Sequence, residues 1–310
     1  LGDFAQGAAR RGLDAVAISP VHALFTADPG RYSPYGPSSR RFLNPLYADP
    51  GGVADEPDDA LIDWRRAAPA RLARLRATFA ALDGEAKAAF DADAAAADAA
   101  LRGHAVFEAL HGHFFRTIGA EGWQGWPAAY RDPAAPEVAA FAAEVADEVR
   151  FHLFGQWLAE TQLGAAQAAA RGAGMAIGLV TDIAVGLDPG GSHGWSAREE
   201  LMMGVGIGAP PDAFQAAGQN WGITSLSPLA LRRLGFRPFI DLLRAAMRHA
   251  GGVRIDHALG LRRLWVVPYG APALDGAYLR LPEPELMRLV ALESWRHGAV
   301  PIGEDLGVVP

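Results

Sequence analysis

Short apolar runs that alternate with helical segments constrain the fold of this chain more than any other feature. Each run has the continuous apolar character of a strand buried in a parallel sheet, and the runs are DAVAIS (14–19), AIGLVTDIAV (176–185), GGVRIDHA (251–258) and AVPIGED (299–305). Helical patterns at 228–250 and 283–298 separate the last three runs. A strand, crossover helix and strand in repetition predict an α/β fold with a parallel sheet.

Composition narrows the classes of function. The 310 residues include 28 basic and 35 acidic side chains, a net charge of −7, without the basic excess of most nucleic-acid-binding proteins. There is no cysteine, so disulfides and thiolate metal sites are excluded. The sequence shows no charged and apolar leader and no apolar run of about 18 residues. We expect a cytoplasmic protein with no nucleic-acid or membrane partner.

The chain divides into three parts by pattern. Residues 1–54 hold the first strand and a long loop at 29–52 that is rich in Pro and Gly. Residues 55–172 shift to Ala, Asp, Glu and Arg with apolar residues at helical spacing, which predicts a helical subdomain. Residues 173–310 return to alternating strands and helices. Because long loops inside compact domains are usually functional, we expect the loop at 29–52 to contact a ligand.

Charged residues stand near the carboxyl end of three predicted strands. They are Asp182 in the second run, Arg254 and Asp256 in the third, and Glu304 in the fourth. In parallel α/β barrels and open sheets the active site lies at that edge, so these side chains can converge. Taken one at a time, each charge could instead cap its strand or pair locally. Its recurrence on three strands favours a shared site.

A pair of carboxyl groups suits the chemistry of glycoside cleavage, in which one attacks the anomeric carbon and the other protonates the leaving oxygen. Alternate residues of a strand share a face, so Arg254 lies beside Asp256 and favours the ionised carboxylate that a nucleophile needs. Glu304 follows an apolar strand, where a carboxyl group keeps its proton more easily, as a general acid requires. The two groups are thus predicted to divide the roles.

Loop residues supply candidate contacts to a sugar. Aromatic faces with carboxylate or amide neighbours complement a sugar ring, and Tyr35, Asp212, Asn220 and Trp221 fit this pattern. The alternative is that the aromatic residues only anchor their loops. His257 faces away from Asp256 in a regular strand, but at the strand's end it can turn towards a substrate.

Three other patterns carry weaker signals. The glycine-rich segment GVGIGA (204–209) lacks the spacing of a dinucleotide-binding loop and is interpreted as a turn. His111 and His113 could bind a metal, but no matching acidic residues accompany them and a structural role is favoured. Ser192 and His193 are adjacent in sequence, which does not by itself make a catalytic triad.

Four long blocks together resemble the 4-α-glucanotransferases known as amylomaltases or disproportionating enzymes, relatives of the α-amylases. The blocks are SPYGPSSRRFLNPLY (33–47), IGAPPDAFQAAGQNWG (207–222), RHAGGVRIDHALGLRRLWVVP (248–268) and PIGEDLGVVP (301–310). The resemblance runs along nearly the whole chain and is looser at 55–150, whose length fits the helical subdomain that the family inserts into its barrel. It implies a (β/α)8 TIM barrel and the transfer of α-1,4-glucan segments with retention of configuration.

The resemblance also implies roles for particular residues. Asp256 matches the nucleophile, Glu304 the acid/base, and Arg254 the arginine beside the nucleophile. Asp182 matches an acidic residue at the end of the third barrel strand, and the loop residues lining the glucan groove are Tyr35, Asp212, Asn220 and Trp221. These five residues and His257 are expected to bind substrate. No metal or organic cofactor is needed, and the expected partners are α-1,4-glucans as donor and acceptor.

One departure from the family pattern concerns the extent of the chain. The family's third carboxylate lies in a later strand, and the first barrel strand would lie before Leu1, so we expect about strands two to five of the barrel and an inactive piece. Two other functions stay open: an α-glucan hydrolase on the same barrel, which would release products without lengthening any chain, and a non-catalytic glucan-binding protein. The sequence does not indicate an oligomeric state.

Overall fold

A computed structural model describes residues 1–51 and 61–305 of the chain. Its helices are α1 (Gly2–Ala9), α2 (Trp64–Ala80), α3 (Gly84–Ala96), α4 (Ala99–Ile118), α5 (Pro136–Glu144), α6 (Ala146–Gly172), α7 (Ser192–Ser196), α8 (Pro228–Arg233), α9 (Arg237–Met247) and α10 (Glu283–His297). Its strands are β1 (Ala15–Ala17), β2 (His22–Ala23), β3 (Ser39–Leu43), β4 (Gly178–Ile183), β5 (Val205–Ala209), β6 (Gln219–Ile223), β7 (Gly252–Ile255), β8 (Arg263–Pro268), β9 (Ala277–Arg280) and β10 (Val300–Gly303).

The central element is a parallel sheet with the strand order β1-β4-β7-β10, which confirms the predicted α/β fold. Asp182 of β4 pairs in register with Arg254 of β7, and Arg254 in turn pairs with Ile302 of β10. Because the strands are parallel and in this register, their carboxyl ends meet at one edge. Helices α9 and α10 cover the sheet, and Leu243, Met247 and Val253 are fully buried between them.

The helices around this sheet begin and end at the residues that local chemistry favours. The Ser227 hydroxyl accepts a hydrogen bond from the Ala230 N–H, with Pro228 at the first position of α8, as the sequence predicts. Helix α10 has acidic residues in its first turn and ends at Gly298, which has a left-handed φ of 60°. The end of α10 at Gly298 brings the chain to the start of β10 at Val300.

Helices α2 to α6 occupy residues 64–172. Two clusters of aromatic and aliphatic side chains hold them together, one around Phe107 and Trp126 and the other around Phe90 and Phe154. Helix α6 packs against α1 and β4, which joins the helices to the parallel sheet. The predicted boundary between residues 54 and 55 lies outside the described residues, and the division into three parts stays a prediction.

Two predictions of irregular structure were wrong. The segment at 204–209 is not a turn but contains β5, part of an antiparallel sheet with the order β6-β5-β8-β9. Its glycines let the neighbouring strand approach, since a Cβ at Gly208 would lie 1.9 Å from the Gln219 carbonyl oxygen. The loop at 29–52 contains β3, in which Arg40 is buried and donates hydrogen bonds to the carbonyls of Ala184 and Val185.

No helix among residues 1–51 and 61–305 combines the length and the apolar character that crossing a bilayer requires.

Candidate active site

A cavity of about 900 Å³ opens at the carboxyl edge of β7 and β10, between that edge, the loop at 31–36 and the antiparallel sheet. This size is in the usual range of ligand sites. Seven of the nine residues singled out in the sequence line it: Tyr35, Asp212, Trp221, Arg254, Asp256, His257 and Glu304. The convergence predicted for the strand ends is therefore present for Arg254, Asp256 and Glu304.

Arg254 joins two carboxylates at the base of this cavity. Its Nη1 donates to Oδ1 and Oδ2 of Asp182 at 2.8 and 2.7 Å, and its Nη2 donates to Oδ1 of Asp256 at 2.9 Å. Desolvation lowers the pKa of Arg254, but the hydrogen bonds and charges of the two carboxylates outweigh it and raise the pKa above its ordinary value. The guanidinium group thus stays charged and orients Asp256.

Asp182 lies behind Arg254 and does not line the cavity. Its side chain is only 6% exposed, and burial raises its pKa, while the Arg254 guanidinium opposes this effect. The Tyr35 hydroxyl donates to Asp182 Oδ2 at 3.2 Å, and desolvation raises the pKa of Tyr35, as does the charge of Asp182. Asp182 therefore supports Arg254 and Tyr35, both of which face the cavity.

Backbone hydrogen bonds hold Glu304 and His257 together. The His257 N–H donates to Glu304 Oε2 at 2.8 Å, and the Ala258 N–H donates to the Glu304 carbonyl at 2.9 Å. The Glu304 N–H in turn donates to the Ile255 carbonyl at 3.0 Å. Strand β7 ends at Ile255, and His257 adopts a left-handed φ of 50°, so the alternation of faces no longer holds there. His257 consequently faces the cavity, and burial lowers its pKa, which keeps the imidazole neutral at neutral pH.

The loop residues are placed in different ways. The Trp221 indole N–H donates to Gln219 Oε1 at 2.8 Å, and its ring meets His257 edge to face at 5.8 Å between centroids. Asp212 Oδ1 accepts hydrogen bonds from two backbone N–H groups of its own loop. Asn220 is exposed outside the cavity lining, and its Oδ1 accepts from the Gly222 N–H at 3.0 Å. The binding roles given to these residues stay predictions.

Four charged or aromatic residues that line the cavity escaped the sequence analysis. Arg31 and Asp188 form an ion pair that bridges the loop at 31–36 and the loop after β4. Arg263 and Tyr278 enter from β8 and β9 of the antiparallel sheet. The Trp and Val residues in RLWVVP (263–268), which strands favour, were the available signal for β8, but nothing local indicated which face would meet the cavity.

The chemistry available at this site is that of carboxyl groups. Asp256 is oriented by a cation, Glu304 is fixed by main-chain contacts, and aromatic rings border the same space. In the described ranges, 1–51 and 61–305, no group of three or more His, Cys, Asp or Glu residues is arranged to hold a metal ion. The arrangement fits a carbohydrate ligand and cleavage by paired carboxyl groups.

The fold and the site thus define an α/β protein with carboxyl groups gathered at the carboxyl edge of a parallel sheet. The family model described as 4-alpha-glucanotransferase matches residues 1–310. The chain belongs to this family, in agreement with the resemblance in the sequence.

Individual relatives agree with the family model. The chain is 38% identical over 333 residues to the 4-alpha-glucanotransferase of Mycobacterium tuberculosis strain H37Rv, an alignment that covers 97% of this chain and 45% of the relative. It is 34% identical over 352 residues to the 4-alpha-glucanotransferase of Haemophilus influenzae, and this alignment covers 100% of this chain and 50% of the relative. The chain therefore spans about half the length of the curated relatives it matches.

Solved structures confirm the barrel. The amylomaltase from Corynebacterium glutamicum superposes with a TM-score of 0.82 at 32% identity, covering 100% of this chain and 44% of that protein. The amylomaltase from Streptococcus agalactiae in complex with acarbose gives 0.84 at 19% identity, covering 99% of this chain and 64% of that protein, and its likeness concerns the fold alone. The described part of the chain is thus a partial TIM barrel with helices α2 to α6 between two of its strands.

Proposed function

We propose that the complete protein is a retaining 4-α-glucanotransferase that moves α-1,4-glucan segments from one glucan to another. One observation carries this proposal: Asp256 and Glu304, which follow the adjacent strands β7 and β10, line the same cavity, and Arg254 lies beside Asp256. Family membership supports the same activity. No metal or organic cofactor takes part.

The first step breaks the donor glucan. Glu304 gives its proton to the glycosidic oxygen, and a carboxylate oxygen of Asp256 attacks the anomeric carbon from the opposite side. The bond between this carbon and the glycosidic oxygen breaks, and a β-linked glycosyl-enzyme forms on Asp256. The released glucan carries the proton on its new 4-hydroxyl group, and Glu304 is left ionised.

The second step passes the sugar to an acceptor. Glu304 accepts the proton of the acceptor's 4-hydroxyl group as its oxygen attacks the anomeric carbon, and the Asp256 carboxylate leaves. Two inversions restore the α configuration. Transfer exceeds hydrolysis when an acceptor sugar competes with water, and a loop-covered cavity bordered by Tyr35 and Trp221 favours this outcome.

The other predicted residues are assigned to glucan binding and positioning. Tyr35, Asp212, Trp221 and His257 line the cavity and are proposed to contact the sugars. Asp182 acts through Arg254 and Tyr35, so we propose it as a positioning residue. Asn220 accepts a hydrogen bond from the Gly222 N–H within β6 and is retained as a peripheral glucan contact. The cytoplasm stays the proposed location.

The test is a maltotriose assay on the protein expressed from its complete gene. The Asp256→Asn variant is expected to lose at least about 1,000-fold in turnover, the scale of losing a nucleophile. Asp275→Asn, a change at an exposed carboxylate outside the cavity, is the control. Substantial glucose release by Asp256→Asn would refute the assignment, and glucose without longer oligomers from the wild type would indicate a hydrolase.

We also propose that a polypeptide limited to residues 1–310 does not turn over glucan. The sheet in the described residues has four strands, and β10 at its edge exposes Val300 and Ile302. An active-site edge built on an open, apolar strand lacks the support of a closed barrel. The maltotriose assay on this polypeptide tests the proposal, and measurable transfer would contradict it.

A further inference from the structure

Two side chains of the antiparallel sheet face the cavity and have no part in the proposed bond cleavage. Arg263 lies on β8 and Tyr278 on β9, and both line the cavity of about 900 Å³ that also contains Asp256. The Tyr278 side chain keeps 47% of its surface exposed. A large aromatic ring that is half exposed in a cavity wall contributes little to a core and is available to a ligand.

The orientation of the Tyr278 ring is held by its neighbours. Trp265 lies directly opposite Tyr278 in the β8 and β9 register, and the two rings meet edge to face at 5.1 Å and 77°. The Trp265 indole N–H donates to the Ala273 carbonyl at 3.0 Å. A Cβ at Gly276 would lie 2.4 Å from the same nitrogen, so only glycine fits beneath the indole. The ring is therefore preorganised on strands rather than on a loop.

Arg263 adds hydrogen-bond donors next to this ring. Its guanidinium carbon lies over the Tyr278 ring, 4.3 Å from the centroid, so Arg263 covers one face of the ring. Its neighbour Arg262 pairs with Glu283, and Arg254 is shared between two carboxylates. Within residues 1–51 and 61–305, no carboxylate or carbonyl accepts a hydrogen bond from the Arg263 side chain. Since a guanidinium group has five N–H donors, those of Arg263 are available to acceptors in the cavity.

We propose that Arg263 and Tyr278 form a sugar-binding platform in the cavity wall, which binds one glucose unit of the α-glucan. A sugar ring has an apolar face and a rim of hydroxyl oxygens. The surface of the Tyr278 ring that Arg263 leaves exposed complements the apolar face, and the Arg263 donors complement the rim. This assignment rests on the proposed glucanotransferase function and adds two substrate-binding residues to it. Because the platform binds substrate and transition state alike, it acts on KM more than on kcat.

The experiment compares four variants of the protein expressed from its complete gene: Arg263→Ala, Tyr278→Ala, Tyr278→Phe and the control Arg280→Ala. Arg280 is exposed, lies opposite Arg263 in the strand register and is absent from the cavity lining. Each alanine variant in the platform is expected to raise KM for maltooligosaccharides roughly tenfold, the effect of one lost contact of ordinary strength, with kcat changed less than about threefold. Tyr278→Phe keeps the ring and should stay close to wild type.

Direct binding separates this proposal from the proposed function. Calorimetry with maltoheptaose, in the Asp256→Asn background to prevent turnover, should show about tenfold weaker affinity for Arg263→Ala and Tyr278→Ala and unchanged affinity for Arg280→Ala. If the wild type transfers glucan and neither alanine variant changes KM or affinity beyond about twofold, the platform is refuted and the enzyme function stands. If the wild type neither transfers nor binds glucan, the function itself fails. Unfolding curves show whether an alanine variant is misfolded. If Tyr278→Ala is misfolded, Tyr278→Leu replaces it, because leucine keeps the apolar bulk without a ring, and the same tenfold loss of affinity is expected.

Discussion

Arg254 is the residue on which the geometry of the candidate site depends. One guanidinium group contacts a carboxylate that is nearly buried, Asp182, and another that faces the cavity, Asp256. A planar group with donors on separate nitrogens can serve both at once, whereas an ammonium group at the end of a flexible chain acts as a point charge. The exchange of Arg for Lys is therefore not conservative here.

We predict that Arg254→Lys lowers kcat for transfer from maltotriose on the order of 10²-fold, the cost of displacing a reacting group by about 1 Å. The reason is that a lysine cannot hold Asp182 and Asp256 in their present relation. The measurement is steady-state glucose release, with Arg280→Lys as the control because Arg280 is exposed outside the cavity. A kcat within about twofold of wild type would show that Asp256 is oriented by other groups.

The antiparallel sheet encloses the site, which without it would be an open edge of the parallel sheet. Its strands β5, β6, β8 and β9 supply one wall of the cavity, and the glycines of β5 let the β6 backbone approach closely. A glycine-rich strand with such neighbours looks like a turn in the sequence, because its pattern reflects contacts with strands distant in the chain.

We predict that Gly208→Ala destabilises the protein by at least ~2 kcal/mol, a typical cost of overpacking. The new Cβ would lie 1.9 Å from the Gln219 carbonyl oxygen, so β5 and β6 must separate. Urea unfolding measures the loss. Gly172→Ala is the matched control, since no atom lies within 4 Å of a Cβ there and the residue ends a helix. Equal stability of the two variants would contradict the tight packing of β5.

Buried histidines make the stability of the whole molecule depend on pH. Burial lowers the pKa of His22 and His104 to about 3 and that of His111 to about 4, against an ordinary value of 6.5. Between the lowered pKa values of the folded state and the ordinary value of 6.5, the unfolded chain binds more protons than the folded one, so stability rises with pH. The contribution of these histidines to stability is fully present above about pH 6.5 and is lost as the pH falls towards 3.

We predict that the free energy of unfolding falls between pH 6.5 and 4.5, with each of these histidines contributing on the order of 1 kcal/mol per pH unit. Urea unfolding at several pH values measures the slope. His104→Gln should reduce the slope by one such contribution, and His113→Gln, on the exposed side of the same helix α4, should leave it unchanged. A wild-type stability that is flat across this range would contradict the neutral, buried state of these side chains.

The sequence by itself determined those parts of the molecule that depend on local chemistry. Continuous apolar runs with intervening helices specify a parallel sheet, because buried strands and crossover helices have distinct patterns. The period of two in a strand placed Arg254 beside Asp256, and the contact at 2.9 Å confirms it. The end of α10 at Gly298 likewise follows from the left-handed conformation that glycine adopts easily.

Only the tertiary structure decided which distant residues meet. The pairing of Arg254 with Asp182, 72 residues away, and the entry of Arg263 and Tyr278 into the cavity depend on strand register and sheet packing. His257 turns towards the cavity because β7 ends two residues earlier, which alternation along the strand could not indicate. The strand pattern predicted that the charged strand ends converge, but not which atoms pair or which face of the antiparallel sheet meets the cavity, because those contacts form only when the chain closes long loops and packs its sheets.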